Sequence, residues 1–276
     1  MLKVAIIGTT TWGTTLGMVL ARKGMQVDLW ARSEREALEL NQARQNPLPP
    51  HAVTFPPHLT ATSQLKEALE GAVLVILAVP AQTMRQNIRL AAGHLRESIL
   101  VVSAAKGLEV ATGKRMSQVI AEEIDPPLHS NICVLSGPNL SREIARGLPA
   151  AAVVAAQDSA VAERGRELLM TPDFGLFSST DMVGVEMGGA LKNIIALGGG
   201  MVDGIGYGDN AKAVLITQGL AEISYLGVAL GANPATFFGL SGLGEQVRHL
   251  PVHLADPRHV GEELAKGRPL TEITAS

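Results

Sequence analysis

Short unbroken runs of Val, Ile, Leu and Ala alternate with longer amphipathic stretches through the first half of the chain. The apolar runs are KVAII (3–7), QVDLW (26–30), VLVILAV (73–79), ILVVSA (99–104), ICVL (132–135) and AAVVAA (151–156). They lack polar alternation and read as strands buried on both faces. Between them, residues 12–23, 33–45, 81–93 and 114–124 carry helical spacing. Strand–helix repetition of this kind predicts an α/β fold built on a doubly wound parallel sheet. From about residue 180 no clear strand remains, and VEMGGALKNIIALGGGMVDGIGYGDNAKAVLITQGLAEISYLGVALG reads as two long helices joined by a Gly-rich turn. The pattern therefore predicts a first domain over 1–180 and a second, all-helical domain over 181–276. Gly188, Gly189 and Gly198 to Gly200 cost stability inside a helix, so a close helix–helix or helix–cofactor approach is expected there.

Composition narrows the classes. With 276 residues the chain exceeds one typical core, and 46% hydrophobic against 18% charged residues is a globular balance. A formal net charge of −3 argues against a nucleic-acid surface. The N-terminal run VAII is too short for a signal peptide, and no stretch approaches the ~20 apolar residues of a membrane span. The single cysteine, Cys133, lies in ICVL and reads as a small buried hydrophobe, which fits a reducing, cytoplasmic setting. No residues are assigned to a metal.

The first turn carries chemistry. In KVAIIGTTTWGTTLG, Gly8 and Gly13 stand five apart, as the G-x-G-x-x-G dinucleotide turn requires, but the middle position is Thr10. Gly8 allows the tight turn and Gly13 the close helix–strand packing. The helix N-terminus still offers N–H groups and a positive dipole end, and the Thr10 hydroxyl could itself donate to a phosphate. At the end of the second strand an NAD site places Asp or Glu; here Arg32 takes that place, with Arg35 following, and Asp28 lies inside the strand. Arginine there favours a 2′-phosphate, hence NADP, with NAD as the alternative.

Further along, SAAKGLE puts Lys106 in a Gly-containing turn after a strand. In LSGPNLSREIARGLPAA, Gly137 and Pro138 make a turn and Asn139 or Ser141 can cap the next helix. GGALKNIIALGGG places Lys192 and Asn193 on an otherwise apolar helix. A lysine there is costly unless paired or functional, and snorkelling to the surface is the plainer alternative.

These stretches resemble the bacterial-type NAD(P)-dependent glycerol-3-phosphate dehydrogenases. The matching motifs are IIG…WGT, LWARS, AVPAQ, AKGLE.ATG, LSGPN…EIA.GLPAA, GVEMGGALKNIIALGGGMVDGIGYGDNAKA and GLAEI…LG.ALGA.PATFFGLSGLGE, in order over about residues 3–245. The resemblance implies a Rossmann-like domain followed by a helical one. It also implies hydride transfer between NAD(P)H and dihydroxyacetone phosphate to give sn-glycerol 3-phosphate for phospholipid synthesis. By the same resemblance Lys192 transfers the proton, and Lys106 touches substrate and cofactor and stabilises charge on the oxygen. Gly137, Asn139 and Asn193 line the substrate, with Glu245 near the lysine, while Thr11, Trp12, Arg32 and Ser141 contact the cofactor. The family includes dimers, so a homodimer is an expectation.

Some positions depart from the family pattern. Thr10 replaces a glycine, and Glu245 replaces an aspartate, where one methylene moves a carboxylate by roughly an ångström. In EQVRHLPVHLADPRH (245–259), His249 and Leu250 stand for a Thr-Cys pair. Ala255, Asp256 and Pro257 stand for the Ser-Arg-Asn triplet that holds the phosphate and cofactor. An aspartate in place of a clamping arginine repels a dianion. Resemblance resumes at VGEELAKGRPLTEI, a pattern that two compensating frameshifts in the coding DNA would leave. The chain stops at Ser276, ahead of the family's last helices. Arg248, His249, Arg258 and His259 are the nearby cations and read as a solvated basic face. Two other readings stay open: a catalytically impaired dinucleotide-binding relic, and a related dehydrogenase for another phosphorylated or carboxylated 2-hydroxy substrate.

Overall fold

The structure is a computed structural model that describes residues 1–45, 53–249 and 257–274, without the side chains of Arg248 and His249. Asp256, Leu250 and Ala255 lie outside the described residues, as does 46–52 of the Pro-rich stretch. The chain divides into two compact units, Met1–Met182 and Val183–Ser276.

In the first unit the strands are β1 (Lys3–Ile7), β2 (Gln26–Trp30), β3 (Leu59–Thr62), β4 (Ala72–Leu77), β5 (Leu100–Ser103), β6 (Ile132–Ser136), β7 (Ala150–Ala156) and β8 (Phe174–Ser179). Its helices are α1 (Thr11–Arg22), α2 (Glu34–Ala43), α3 (Leu65–Leu69), α4 (Met84–Ala92), α5 (Met116–Glu123), α6 (Ser141–Ala145) and α7 (Ser159–Leu169). The sheet runs β3-β2-β1-β4-β5-β6-β7-β8. The strand order reverses between β1 and β4, which makes the turn after β1 the switch point where this architecture binds ligands. Val4, Ile6, Leu29, Leu74, Ile76, Leu100 and Val102 form the middle of the core, with no more than trace exposure. Continuous aliphatic strands are what a sheet covered on both faces requires.

Two features correct the sequence reading of the sheet. It is not wholly parallel: β6 and β7 pair antiparallel, Cys133 with Ala156 through Ser136 with Val153, and β8 then runs parallel to β7. Both remain in apolar surroundings, so composition does not betray strand direction. The strands β3 and β8 have no counterpart among the six apolar runs. β3 carries LTAT and β8 carries FGLFSS; each buries two alternate residues, Leu59 and Ala61, Phe174 and Leu176, and leaves most of the others partly or wholly exposed at the sheet edge. The thiol of Cys133 is fully buried, and burial pushes its pKa up to about 12, so it is an inert core group.

The second unit is helical: α8 (Met182–Ile205), α9 (Gly208–Ala229), α10 (Glu245–His249), α11 (Pro257–Ala265) and α12 (Leu270–Ile273). Several of its glycines permit close approach. A Cβ on Gly200 would lie 1.8 Å from the carbonyl oxygen of Arg258, and one on Gly261 would lie 2.0 Å from that of Leu197. α8 and α11 therefore meet backbone to backbone, which offsets the helix propensity these glycines forfeit. Among the described residues no helix is long and apolar enough to cross a membrane.

Candidate active site

The first unit builds its site from the C-terminal ends of its strands. Gly8 has φ +119°, and a Cβ there would sit 2.5 Å from the carbonyl oxygen of Ala78, so only glycine fits this turn. Gly13 lies under the turn, where a Cβ would strike the Gly8 carbonyl oxygen at 2.1 Å. Thr10 is the N-cap of α1. Its hydroxyl donates to Ala78 O at 2.8 Å and accepts from Gly13 N at 3.1 Å. In this structure the cap and the strand end already engage this hydroxyl. Thr11 and Trp12 open the helix, whose first turn holds no acidic side chain. Trp12 also packs edge-on against Phe174, with ring centroids 6.4 Å apart. Arg32 is exposed just past β2, and Asp28 is held by Lys3 at 2.9 Å within the strand.

Lys106 follows β5 and donates to the carbonyl oxygen of Gly137 at 2.9 Å, which joins the turn after β5 to the turn after β6. The same carbonyl accepts from Asn139 N at 2.8 Å. Ser103 Oγ, Ser136 Oγ and Asn139 Oδ1 are buried without a hydrogen-bond partner, all at or just past these two strand ends. Buried orphan acceptors and hydroxyls in a native fold call for a ligand or water. The helix after Asn139 is capped differently from the sequence reading. Leu140 is the N-cap, without a side-chain bond, and Ser141 is the first residue of α6.

The loop that carries Lys106 is braced from α4 and the turn before it. Gln82 donates to Leu108 O at 2.8 Å and accepts from Val110 N at 3.0 Å. Arg85 makes two 2.8 Å bonds to Glu109, which also accepts from Thr112 at 2.6 Å. Arg85, with help from Thr112, holds the Glu109 carboxyl down at about 2. Sequence reading missed this brace; nothing short of the fold places Arg85 beside Glu109.

The second unit buries its chemistry. Lys192, on α8, is 5% exposed and pairs with Glu245, which is fully buried. Gly188 explains how they meet. It lies one turn before Lys192 on the same face, and a Cβ there would fall 2.6 Å from the carbonyl oxygen of Ser241. The segment Leu240–Gly244 thus rests on α8 and delivers Glu245, at the start of α10, to the lysine. The longer glutamate side chain reaches Lys192, and snorkelling is ruled out. Asn193, the next residue, is exposed.

A narrow cavity beside Lys192 is lined by Ile195, Ala196, Ile216, Gln246, Lys212 and Arg258 among others. Asp203 holds both of these cations: Arg258 at 2.7 and 2.8 Å and Lys212 at 2.5 Å. Burial opposes ionisation of Asp203, but Lys212 and Arg258 outweigh it and keep its carboxyl below the usual range. Arg258 is only 13% exposed, which corrects its reading as part of a solvated basic face. Among the described residues no cluster of three or more His, Cys, Asp or Glu could hold a metal ion.

Comparison with known proteins decides the family. The NAD-dependent glycerol-3-phosphate dehydrogenase N-terminus matches residues 3–162, and the C-terminus of the same family matches 181–276. The chain belongs to the NAD-dependent glycerol-3-phosphate dehydrogenase family. A glycerol-3-phosphate dehydrogenase [NAD(P)+] of Dehalococcoides mccartyi is 55% identical over all of this chain and 77% of its own length. One from Thermobifida fusca is 46% identical over all of this chain and 82% of its own. The crystal structure of glycerol-3-phosphate dehydrogenase from Coxiella burnetii superposes with a TM-score of 0.90 at 33% identity, covering 99% of this chain and 83% of that one. The Rossmann-like first unit and helical second unit are thus the architecture of this dehydrogenase family.

Proposed function

We propose that this chain reduces dihydroxyacetone phosphate to sn-glycerol 3-phosphate with NADP(H), taking NAD(H) as well, and runs the reverse oxidation. The observation that carries the reading is the buried Lys192–Glu245 pair in a chain matched to the family over both units. Burying both ions costs several kcal/mol each, a cost that packing alone does not require.

The residues of the first unit fit a dinucleotide. Gly8 leaves a cradle that a Cβ would fill, Gly13 and the start of α1 sit beneath it, and Asn139 presents an orphan acceptor nearby in the fold order. Gly8, Thr11, Trp12, Gly13, Arg32 and Ser141 would hold the cofactor, with Thr10 acting through the turn it caps. When bound, the dinucleotide supplies a hydride to the substrate C2 carbon, or takes one in reverse.

The protein's own groups manage charge and protons. Lys192, oriented by Glu245, gives its proton to the C2 oxygen as the carbonyl is reduced, and recovers one in the oxidation. Lys106 places a fixed positive charge for the developing oxyanion, with its ammonium anchored on the Gly137 carbonyl. Asn139 and Asn193 are assigned to substrate hydroxyls. With Asp256 and Pro257 in the positions of the family Arg-Asn, the phosphate falls to Arg258 and Lys212, the cations of the Lys192 cavity. A homodimer, a reducing cytosol and a role in phospholipid synthesis belong to the same proposal.

The test is oxidation of NADPH, and separately NADH, by dihydroxyacetone phosphate, for the wild type and Lys192→Met. A substrate-dependent rate that falls by about 100-fold or more in the variant, with NADPH still bound, is the expected result. A wild type that binds NADPH but shows no rate would favour the relic reading.

A further inference from the structure

The acid that doubly wound NAD domains place at the end of β2, to receive the adenosine ribose, is missing at its usual position, which is held by Arg32. A carboxylate arrives there by another route. Glu36, the third residue of α2, divides its two oxygens: one accepts the backbone N–H of Arg32 at 3.1 Å, the other the hydroxyl of Thr9 at 2.5 Å. Thr9 lies between Gly8 and Thr10, inside the turn after β1. Glu36 thus joins the turn that receives the diphosphate to the turn that receives the ribose.

Helix capping does not account for this. Ser33 is the N-cap and accepts from Glu36 N at 3.2 Å. In a capping box the glutamate would return to the N-cap N–H. Here it passes over Ser33 to Arg32 and reaches out of the helix to Thr9. The surrounding charges sharpen the point. Arg35 is engaged by Glu39 at 2.7 Å along α2, and Arg32 stands exposed just ahead of the helix.

We propose that Glu36 is a specificity residue for the dinucleotide: its carboxylate repels a 2′-phosphate and accepts from a free 2′-hydroxyl, and so offsets the preference that Arg32 sets for NADP. On this account the chain takes both dinucleotides because an arginine and a glutamate act on one position of the ligand. The inference rests on the dinucleotide site proposed above.

The test is a fluorescence titration of NADPH and NADH against the whole chain, with wild type, Glu36→Gln and Arg32→Gln. Glutamine keeps the length: its carbonyl can accept from Arg32 N while its amide donates to the Thr9 hydroxyl oxygen, and a melting curve checks the fold. The ratio Kd(NADH)/Kd(NADPH) is expected to rise about five- to tenfold in Glu36→Gln and to fall in Arg32→Gln, as removal of one charge near a phosphate requires. The same shift is expected when 2′,5′-ADP and 5′-ADP compete for the site, a readout independent of the nicotinamide. A ratio unchanged in Glu36→Gln, or both affinities weakened alike, would overturn the proposal and leave Glu36 a strut between two turns. A wild type that binds neither dinucleotide would overturn the site itself along with it.

Discussion

The two units differ in what they bury beside their unsatisfied polar atoms. In the first, the strand ends leave Ser103, Ser136 and Asn139 with buried atoms that no protein group satisfies. In the second, Ser241 Oγ and Gln246 Oε1 are likewise unsatisfied, but the charges pair with one another: buried Lys192 with Glu245, and the partly buried Asp203 with both Lys212 and Arg258. The first is a surface prepared for a ligand whose own donors and acceptors complete it. The second is a set of charged side chains paired to one another within a helical unit. A parallel sheet makes the former naturally, because its loops gather at one end. A bundle makes the latter only if small residues let the elements approach, which Gly188, Gly200 and Gly261 do.

The largest effect should come from breaking the closed arrangement. Gly188→Val puts a side chain into the Ser241 carbonyl and lifts Glu245 off Lys192. Turnover should fall by about 100-fold or more through that misplacement, while NADPH titration of the first unit changes little. If cofactor affinity falls as far as turnover does, the two units are not separable in this way.

A smaller effect is expected from the open arrangement. Thr10→Ala removes the cap of α1 and its bond to Ala78, and should cost about 1 kcal/mol in urea unfolding, with Thr10→Ser restoring most of it. An unchanged midpoint in Thr10→Ala would show that the hydroxyl is not needed by the turn.

The smallest effect separates the brace of Lys106 from the site itself. Arg85 and Thr112 hold Glu109 at about 2, and Arg89 first and then Arg85 hold Glu123 at about 2. Both lie below the ordinary 4.5, so the unfolded chain binds more protons than the folded one in between. Their contribution is therefore full above pH about 4.5 and lost as pH falls toward about 2. Melting curves from pH 6 to 3 should show the decline, and Glu109→Gln should make it shallower. Equal slopes in the two proteins would remove Glu109 from the account.

Much of the fold was legible in the chain. Unbroken aliphatic runs mark strands that are covered on both faces, and β1, β2, β4, β5, β6 and β7 all announce themselves so. The edge strands β3 and β8 did not, because they bury one face only and so lack the unbroken aliphatic run. Strand direction was also hidden: an antiparallel β7 in a covered sheet needs the same residues as a parallel one. Lys192 stood out because a cation on an apolar helix needs a reason. Its reason, Glu245, lies 53 residues away and is brought there by the approach at Gly188.

By itself the sequence determined what depends on neighbours along the chain: the periods of strand and helix, the Gly8–Gly13 turn and the small buried hydrophobe Cys133. Only the tertiary structure decided which distant groups meet. It joined Glu36 to Thr9, Arg85 to Glu109, and Arg258 and Lys212 to Asp203, and it gave the contact between Glu245 and Lys192 that the resemblance had only placed near each other. The reason is physical. Local pattern reflects backbone geometry and burial, which each residue feels through its near neighbours. The pairing of charges depends on where packed elements place their side chains, and close packing at a few glycines determines that.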